Sequence, residues 1–146
     1  MIVTLGLAGW KGGEPERWGG MIIIAMWALQ TVGEYAHPSR FVTVDPFPFL
    51  SDLVGTIGFG VIAVHARRAW PLWAAALQLL SLSAHFARWA DLKIPAVVYA
   101  LMRGGPTFVV ILVLFLGTIL HIRRLKRYGR DAPWQRWTSP SDKSDR

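Results

Sequence analysis

Long apolar blocks separated by short polar segments are the main pattern along this chain. Four blocks have the roughly 20 residues that a helix needs to cross a bilayer, and they run Trp18–Ala36, Pro48–Ala66, Trp70–Trp89 and Pro106–Ile122. The apolar stretch 95–102 is too short to cross alone. We interpret it as interfacial, as re-entrant or, in the reading we favour, as the start of the fourth helix, broken or kinked at 104–106. The pattern predicts an all-α fold, an integral membrane four-helix bundle.

Composition supports a membrane location over a soluble one. Of 146 residues, 53% are apolar and 17% charged, against about 45–50% and about 25% in ordinary soluble domains. A hydrophilic disordered chain is therefore excluded. The absence of cysteine excludes disulfides, zinc–thiolate sites and c-type haem attachment.

The distribution of basic residues predicts the orientation of the four spans. An even number of spans puts both termini and the Ala66–Ala69 loop on one side, which then carries 12 Lys and Arg residues against four on the other. By the positive-inside rule, both termini are cytoplasmic, in a bacterial inner membrane.

The chain therefore divides into three parts. Residues 1–17 form a cytoplasmic or interfacial arm, 18–122 the four-span bundle, and 123–146 a basic cytoplasmic tail that is disordered at its end. The first nine residues carry no basic charge before their apolar run, so they do not match a signal peptide, and we expect them to be loosely ordered.

Polar residues within the spans fall on single helix faces. Gln78, Ser81, His85 and Arg88 form one stripe on the third span, while Gln30, Glu34 and His37 share a face of the first. Asp52 lies near the start of the second. We expect Glu34, Asp52, His85 and Arg88 to converge near the periplasmic end of the bundle.

This polar cluster has three interpretations, and ligation of a metal or cofactor is the third. It is either a set of hydrogen bonds and ion pairs that joins the helices, or the lining of a periplasm-facing pocket or ion path. Ligation would use the four histidines as axial ligands of b-type haem, His37 and His85 near one end and His65 and His121 near the other. The sequence predicts no required cofactor, and haem b stays as the alternative.

The last span and the basic run after it suggest two contacts. The run holds Arg123, Arg124, Lys126 and Arg127, which we expect to contact anionic lipid headgroups. The span itself is apolar all round over 108–116, so we expect it to face lipid or an apolar membrane-protein partner. The chain shows no nucleic-acid-binding module.

The third span carries a resemblance to a known kind of protein. The string WPLWAAALQLLSLSAHFAR, preceded by Arg67-Arg68, resembles small bacterial inner-membrane proteins with four helices and no assigned function. The likeness extends from Glu16 to the final basic turn. It implies a four-helix membrane protein and supplies no catalytic residues.

The sequence contains no Walker loop, G-x-S-x-G, H-E-x-x-H or Rossmann motif, so we predict a non-enzyme. We expect an accessory or assembly subunit of a larger membrane complex. Two alternatives stay open: a small transporter or redox carrier that uses the polar cluster, and a holin-like pore former.

Overall fold

The structure is a computed structural model that describes residues 1–36, 46–90, 95–131 and 134, and within them the chain forms five α-helices. They are α1 (Ile2–Lys11), α2 (Glu14–Ala36), α3 (Pro46–His65), α4 (Trp70–Trp89) and α5 (Ala96–Tyr128). Those ranges contain no strand, and one isolated antiparallel bridge joins Ala66 to Trp134. The predicted all-α class is confirmed.

Each predicted span corresponds to one helix, and α4 has the predicted bounds. The fourth differs most, because α5 runs over 33 residues, with Pro106 inside it. Residues 96–102 are therefore the first turns of this helix, as in the interpretation we favour, whereas a break at 104–106 is wrong and a kink there stays a prediction. Proline removes one backbone hydrogen bond, but Pro106, Val110 and Leu114 are all buried on one side of α5. Their packing keeps the helix continuous.

The first residues do not form a loosely ordered arm. Residues 2–11 are helical, and α1 packs against α5 and α2 with Ala8 fully buried and Thr4 nearly so. A ten-residue helix is marginal in isolation, so its stability comes from this packing. It ends at Gly12, whose backbone N–H donates to the carbonyl of Ala8 at 3.1 Å.

The four long helices run up and down. The backbone of Gly58 approaches the side chain of Ile22, and the Ser51 hydroxyl bonds the Met26 carbonyl, so α2 and α3 are antiparallel. The contacts Asp52–His85 and Phe59–Trp70 make α3 and α4 antiparallel. The contacts Gln78–Thr107 and Trp70–Gly117 do the same for α4 and α5. A buried apolar core fills the middle of the bundle, with Met26, Phe59 and Leu114 as its largest fully buried members.

Trp70 joins three helices at one end of this core. A Cβ atom added to Gly19 of α2 would lie 2.6 Å from one edge of the indole ring, and one added to Gly117 of α5 would lie 2.6 Å from the other. The ring also meets Phe59 of α3 edge-on, at 6.3 Å between centroids. Two glycines therefore let the helices close around one tryptophan.

Two helices in the described part of the chain are long and apolar enough to cross a membrane. They are α3 and the Gly104–Tyr128 part of α5. The other two long helices, α2 and α4, contain more polar side chains, among them Gln30, Glu34, Gln78 and His85.

Candidate functional site

The bundle buries two groups of ionisable side chains, one toward each end. The first, the Asp52 cluster, comprises Asp52, Ser81 and His85. Asp52 is 2% exposed, and its Oδ2 atom accepts a hydrogen bond from Ser81 Oγ at 2.7 Å. The same oxygen lies 3.1 Å from His85 Nε2, so that nitrogen carries a proton and donates it to the carboxylate.

Of the four residues that the sequence predicted to converge, the described side chains include Glu34, Asp52 and His85. Asp52 and His85 are in contact, whereas the Glu34 side chain is exposed near the end of α2. Arg88 belongs to α4, but its side chain lies outside the described residues, as does His37. The predicted inward stripe on α4 is confirmed for Gln78, Ser81 and His85, which are all buried.

Further hydrogen bonds beside the Asp52 cluster reach α2 and α5. Gln30 Nε2 donates to Ser51 Oγ at 3.1 Å, and Ser51 in turn donates to the Met26 carbonyl. Gln78 Nε2 reaches Thr107 Oγ1 at 3.5 Å, and Gln78 Oε1 has no hydrogen-bond partner among the described residues. The Asp52 cluster therefore belongs to a polar layer with members on α2, α3, α4 and α5.

The order of contacts in this cluster differs from that of a nucleophilic triad. In a triad the serine hydroxyl gives its proton to the histidine. Here Ser81 and His85 both donate to one oxygen of Asp52. The arrangement holds three side chains of α3 and α4 together through two contacts with one carboxylate oxygen.

The second group, the Arg68 cluster, comprises Glu16, Arg68, Trp70, His121 and Asp131. Arg68 Nη1 lies 2.6 Å from Glu16 Oε1, with both side chains almost fully buried, and Nη2 lies 3.0 Å from Asp131 Oδ2. Trp70 Nε1 donates to the same oxygen of Glu16 at 3.0 Å. One guanidinium thus joins α2, the α3–α4 loop and the segment after α5.

The distances around His121 indicate which of its ring nitrogens carries a proton. Its Nδ1 atom is 2.7 Å from Asp131 Oδ2 and 3.1 Å from Arg68 Nη2. Arginine is always a donor and the carboxylate an acceptor, so Nδ1 cannot serve both. The shorter contact means that Nδ1–H donates to Asp131, while Arg68 is paired directly with the two carboxylates.

The sequence does not predict this cluster. Arg68 stands beside Arg67 among the expected membrane-surface charges, and Glu16 lies in the predicted arm. The ion pair between them joins residues 52 positions apart, and no local pattern connects such positions. The one usable signal was a carboxylate two residues before Trp18-Gly19-Gly20, in a stretch whose small residues allow another helix to approach.

The described histidines contact protein oxygens. His65 is exposed, and its Nδ1 lies 2.8 Å from the carbonyl of Val61 in its own helix, while His85 and His121 contact carboxylates. Within the described residues no group of three or more His, Asp or Glu side chains is arranged to hold a metal ion. Haem ligation by His37, His65, His85 and His121 stays the untested alternative to a chain without a cofactor.

Three of the four predicted lipid-contacting residues are exposed, namely Arg123, Lys126 and Arg127, on the last turns of α5. Arg124 is half-buried and lies 3.4 Å from Asp131. Beyond it, the chain folds back after Gly129, and Trp134 Nε1 donates to Glu14 Oε2.

No family model, curated protein or solved structure matches this chain. The predicted resemblance to small four-helix inner-membrane proteins stays a prediction.

Replacement of Asp52 separates the roles of hydrogen bonding and charge in its cluster. We expect Asp52→Ala to lower the free energy of unfolding by about 2 kcal/mol, because two buried donors lose their acceptor. Asp52→Asn keeps one acceptor oxygen and should lose about half as much. Melting temperatures of the purified variants measure both effects. Equal losses would show that the charge of Asp52, rather than its hydrogen bonds, stabilises the bundle.

Proposed function

We propose that this chain is an integral membrane protein whose helices α2 to α5 each cross the bilayer. The observation that carries the proposal is the distribution of side chains, with ionised groups inside the bundle and large apolar ones outside. Each of the four helices exposes such residues, including Ile24 and Trp27, Ile57 and Val61, Leu72 and Leu79, and Leu112 and Leu116. Soluble monomers rarely expose continuous apolar surfaces of this kind.

The charge-free part of the surface has the height of a bilayer core. No exposed ionised side chain occurs in 18–33 of α2, 46–64 of α3, 70–87 of α4 or 104–122 of α5. At 1.5 Å per residue these ranges are about 24–29 Å long, close to the roughly 30 Å of bilayer hydrocarbon. Exposed basic residues lie at the helix ends, for example Lys11, Arg67 and Lys126.

Helices α2 and α4 are less apolar than α3 and α5 because of their inward faces. Hydropathy averages over all sides of a helix, whereas lipid contacts only the outer side. On α4 the buried positions include Gln78, Ser81 and His85, while Leu79, Leu80 and Phe86 are exposed. A polar inner stripe with an apolar outer face fits a helix within a membrane bundle.

Hydroxyl groups on the outer surface find partners in their own helices. Ser83 Oγ donates to the Leu80 carbonyl at 2.6 Å, and Thr31 Oγ1 donates to the Trp27 carbonyl at 2.9 Å. In hydrocarbon, where water is absent, polar groups require such internal partners. These bonds support the membrane proposal further.

The positive-inside count favours both termini in the cytoplasm of a bacterial inner membrane. The contacts between Glu16, Arg68 and Asp131 are consistent with this orientation, since they join the start of α2, the α3–α4 loop and the end of α5 at one end of the bundle.

Within the membrane we propose a non-enzymatic role, as an accessory or assembly subunit that contacts its partner through α5. The apolar run of this helix has a buried side and an exposed side. Val110 and Leu114 belong to the buried side and lie in the core. Phe108, Leu112, Leu116 and Leu120 form an exposed stripe with four-residue spacing. A stripe without polar groups suits an apolar helix of another membrane protein.

Affinity purification in a mild detergent, at native expression, tests this role. We expect a partner in fixed stoichiometry with the wild-type chain, and loss of that partner from Leu116→Trp because the larger ring displaces the opposing helix. Leu79→Trp is the control, since Leu79 is equally exposed, 58% against 57%, but lies on α4. A wild-type chain that purifies alone, or equal loss from both variants, would contradict the role of α5.

Transport through the Asp52 cluster is the second candidate, favoured by the contact between Asp52 and His85. The interior beyond the cluster is filled, however, by Met26, Phe59 and Leu114, all fully buried. The cluster is better explained as hydrogen bonding between helices. Proton flux into proteoliposomes that is abolished by Asp52→Asn would instead support transport.

A further inference from the structure

We infer that the basic end of the bundle holds a binding site for the phosphate group of an anionic phospholipid. This inference rests on the proposed membrane location and specifies one ligand there. The site, called the basic pocket, is an open cavity of about 600 Å³ lined by Arg67, Arg124, Tyr128, Arg130 and Asp131.

Three separate segments build the basic pocket. Arg67 comes from the α3–α4 loop, Arg124 and Tyr128 from the last turns of α5, and Arg130 and Asp131 from the residues after it. Gly129 makes the turn between the last two segments, with a left-handed φ of 68°, and its N–H donates to the Leu125 carbonyl. That turn brings Arg130 and Asp131 back to the same cavity as Arg67.

Asp131 offsets only part of the positive charge of the basic pocket. Its Oδ2 atom is shared, because it lies 2.7 Å from His121 Nδ1, 3.0 Å from Arg68 Nη2 and 3.4 Å from Arg124 Nε. Arg67 and Arg130 are exposed and form no ion pair among the described residues.

The charge of the whole region is positive. The Arg68 cluster and the basic pocket together contain four guanidiniums, on Arg67, Arg68, Arg124 and Arg130, and two carboxylates, on Glu16 and Asp131. The net charge is therefore +2 with His121 neutral.

The chemistry and position of the pocket select a phospholipid headgroup. Guanidinium groups bind phosphate oxygens with paired, charge-assisted hydrogen bonds, and the Tyr128 hydroxyl supplies one further donor. The pocket follows directly on the charge-free part of α5, which ends at Ile122. In a bilayer it lies at the depth of the headgroups, where anionic lipids attract basic side chains.

The test measures lipid binding by the full chain in a neutral detergent, from the rise in melting temperature on titration with phosphatidylglycerol. We expect a saturable rise with phosphatidylglycerol and none with phosphatidylcholine. The double variant Arg67→Gln/Arg130→Gln should weaken the apparent affinity by about tenfold or more, since each guanidinium that is removed takes with it charge-assisted hydrogen bonds to the phosphate oxygens. Both replaced side chains are exposed, so the variant should melt like the wild type without lipid.

The matched control is Arg123→Gln/Lys126→Gln, which removes two exposed charges from the same turns of α5 outside the pocket. We expect it to weaken phosphatidylglycerol binding less than threefold. Equal weakening by both double variants would overturn the site, since general attraction to a basic surface would then explain the binding. Inorganic phosphate at the same concentrations should give no rise, and a rise equal to that with phosphatidylglycerol would overturn the lipid as its ligand.

The lipid titration tests the basic pocket, and alkaline extraction of native membranes tests the membrane location separately. A chain that stays in membranes through alkaline extraction but does not distinguish the two lipids refutes the basic pocket alone. A chain that alkaline extraction releases refutes the membrane location itself.

Discussion

Replacing Arg68 with alanine is expected to lower the free energy of unfolding by about 3–5 kcal/mol, the cost of removing one partner from a buried ion pair. Glu16 is fully buried, and Arg68 is its only charged partner among the described residues. The variant also removes one cation from Asp131. Without the guanidinium, two carboxylates remain at the bundle's end with only Trp70 and His121 as buried donors.

The neighbouring arginine provides the control for this prediction. Arg67 is exposed, and Arg67→Ala should change the unfolding free energy by no more than about 0.5 kcal/mol. Arg68→Lys should lie between the two, since one ammonium cannot reproduce the separate contacts of Nη1 and Nη2. Unfolding of the three variants in detergent, followed by helix content, measures the differences. Equal stability of Arg68→Ala and Arg67→Ala would mean that the Arg68 cluster does not stabilise the fold.

Replacing Gly117 with leucine should cost about 3 kcal/mol, at the upper end of the usual range for overpacked cores. The new Cβ would lie 2.6 Å from Cδ1 of Trp70. The indole cannot move away, because its opposite edge is in contact with Gly19 of α2. Displacing the ring would also break its hydrogen bond to Glu16, so the effect should reach the Arg68 cluster.

Gly60→Leu is the control for Gly117→Leu, since a Cβ at Gly60 of α3 meets nothing within 4 Å. Leucine there should leave the melting temperature unchanged or raise it slightly, because leucine favours helix more than glycine does. If Gly117→Leu had the same melting temperature as Gly60→Leu, the helices would be able to separate around Trp70 at little cost in free energy.

The helices could be predicted from the sequence where their stability depends on long apolar blocks. The four long helices follow from these blocks, and the bounds of α4 from its flanking charges and Pro71. Helix α1 could not be predicted, because its ten residues depend on burial of Ala8 against other helices. The continuity of α5 through Pro106 likewise depends on tertiary packing, which a local rule about proline does not include.

Of the two ionic clusters, the Asp52 cluster could be predicted in part from the sequence, whereas the Arg68 cluster could not. Ser81 and His85 share one helix face, so the sequence showed that they point in one direction, and Asp52 was the nearest inward carboxylate on the adjacent span. The Arg68 cluster depends on how a loop and two helix ends meet in space. Its arginine sits beside an exposed one in the sequence, and hydropathy does not distinguish Arg67 from Arg68.

Cysteine labelling shows whether hydrocarbon surrounds the bundle. The chain contains no cysteine, so each single substitution introduces the only thiol. Ile57, Leu79 and Leu112 are each at least half exposed and lie on three different helices, while Arg67 and Lys126 are exposed at the helix ends. Native membranes would be treated with a membrane-impermeant maleimide, before and after permeabilisation, and then dissolved in SDS and treated again.

We predict that cysteines at 57, 79 and 112 react only in SDS, since all three side chains face lipid. Cysteines at 67 and 126 should react in native membranes once permeabilisation admits the reagent to the cytoplasmic side. Labelling at 57, 79 and 112 as fast as at 67, with the membranes intact or permeabilised, would mean that water contacts the apolar surface and would contradict the account.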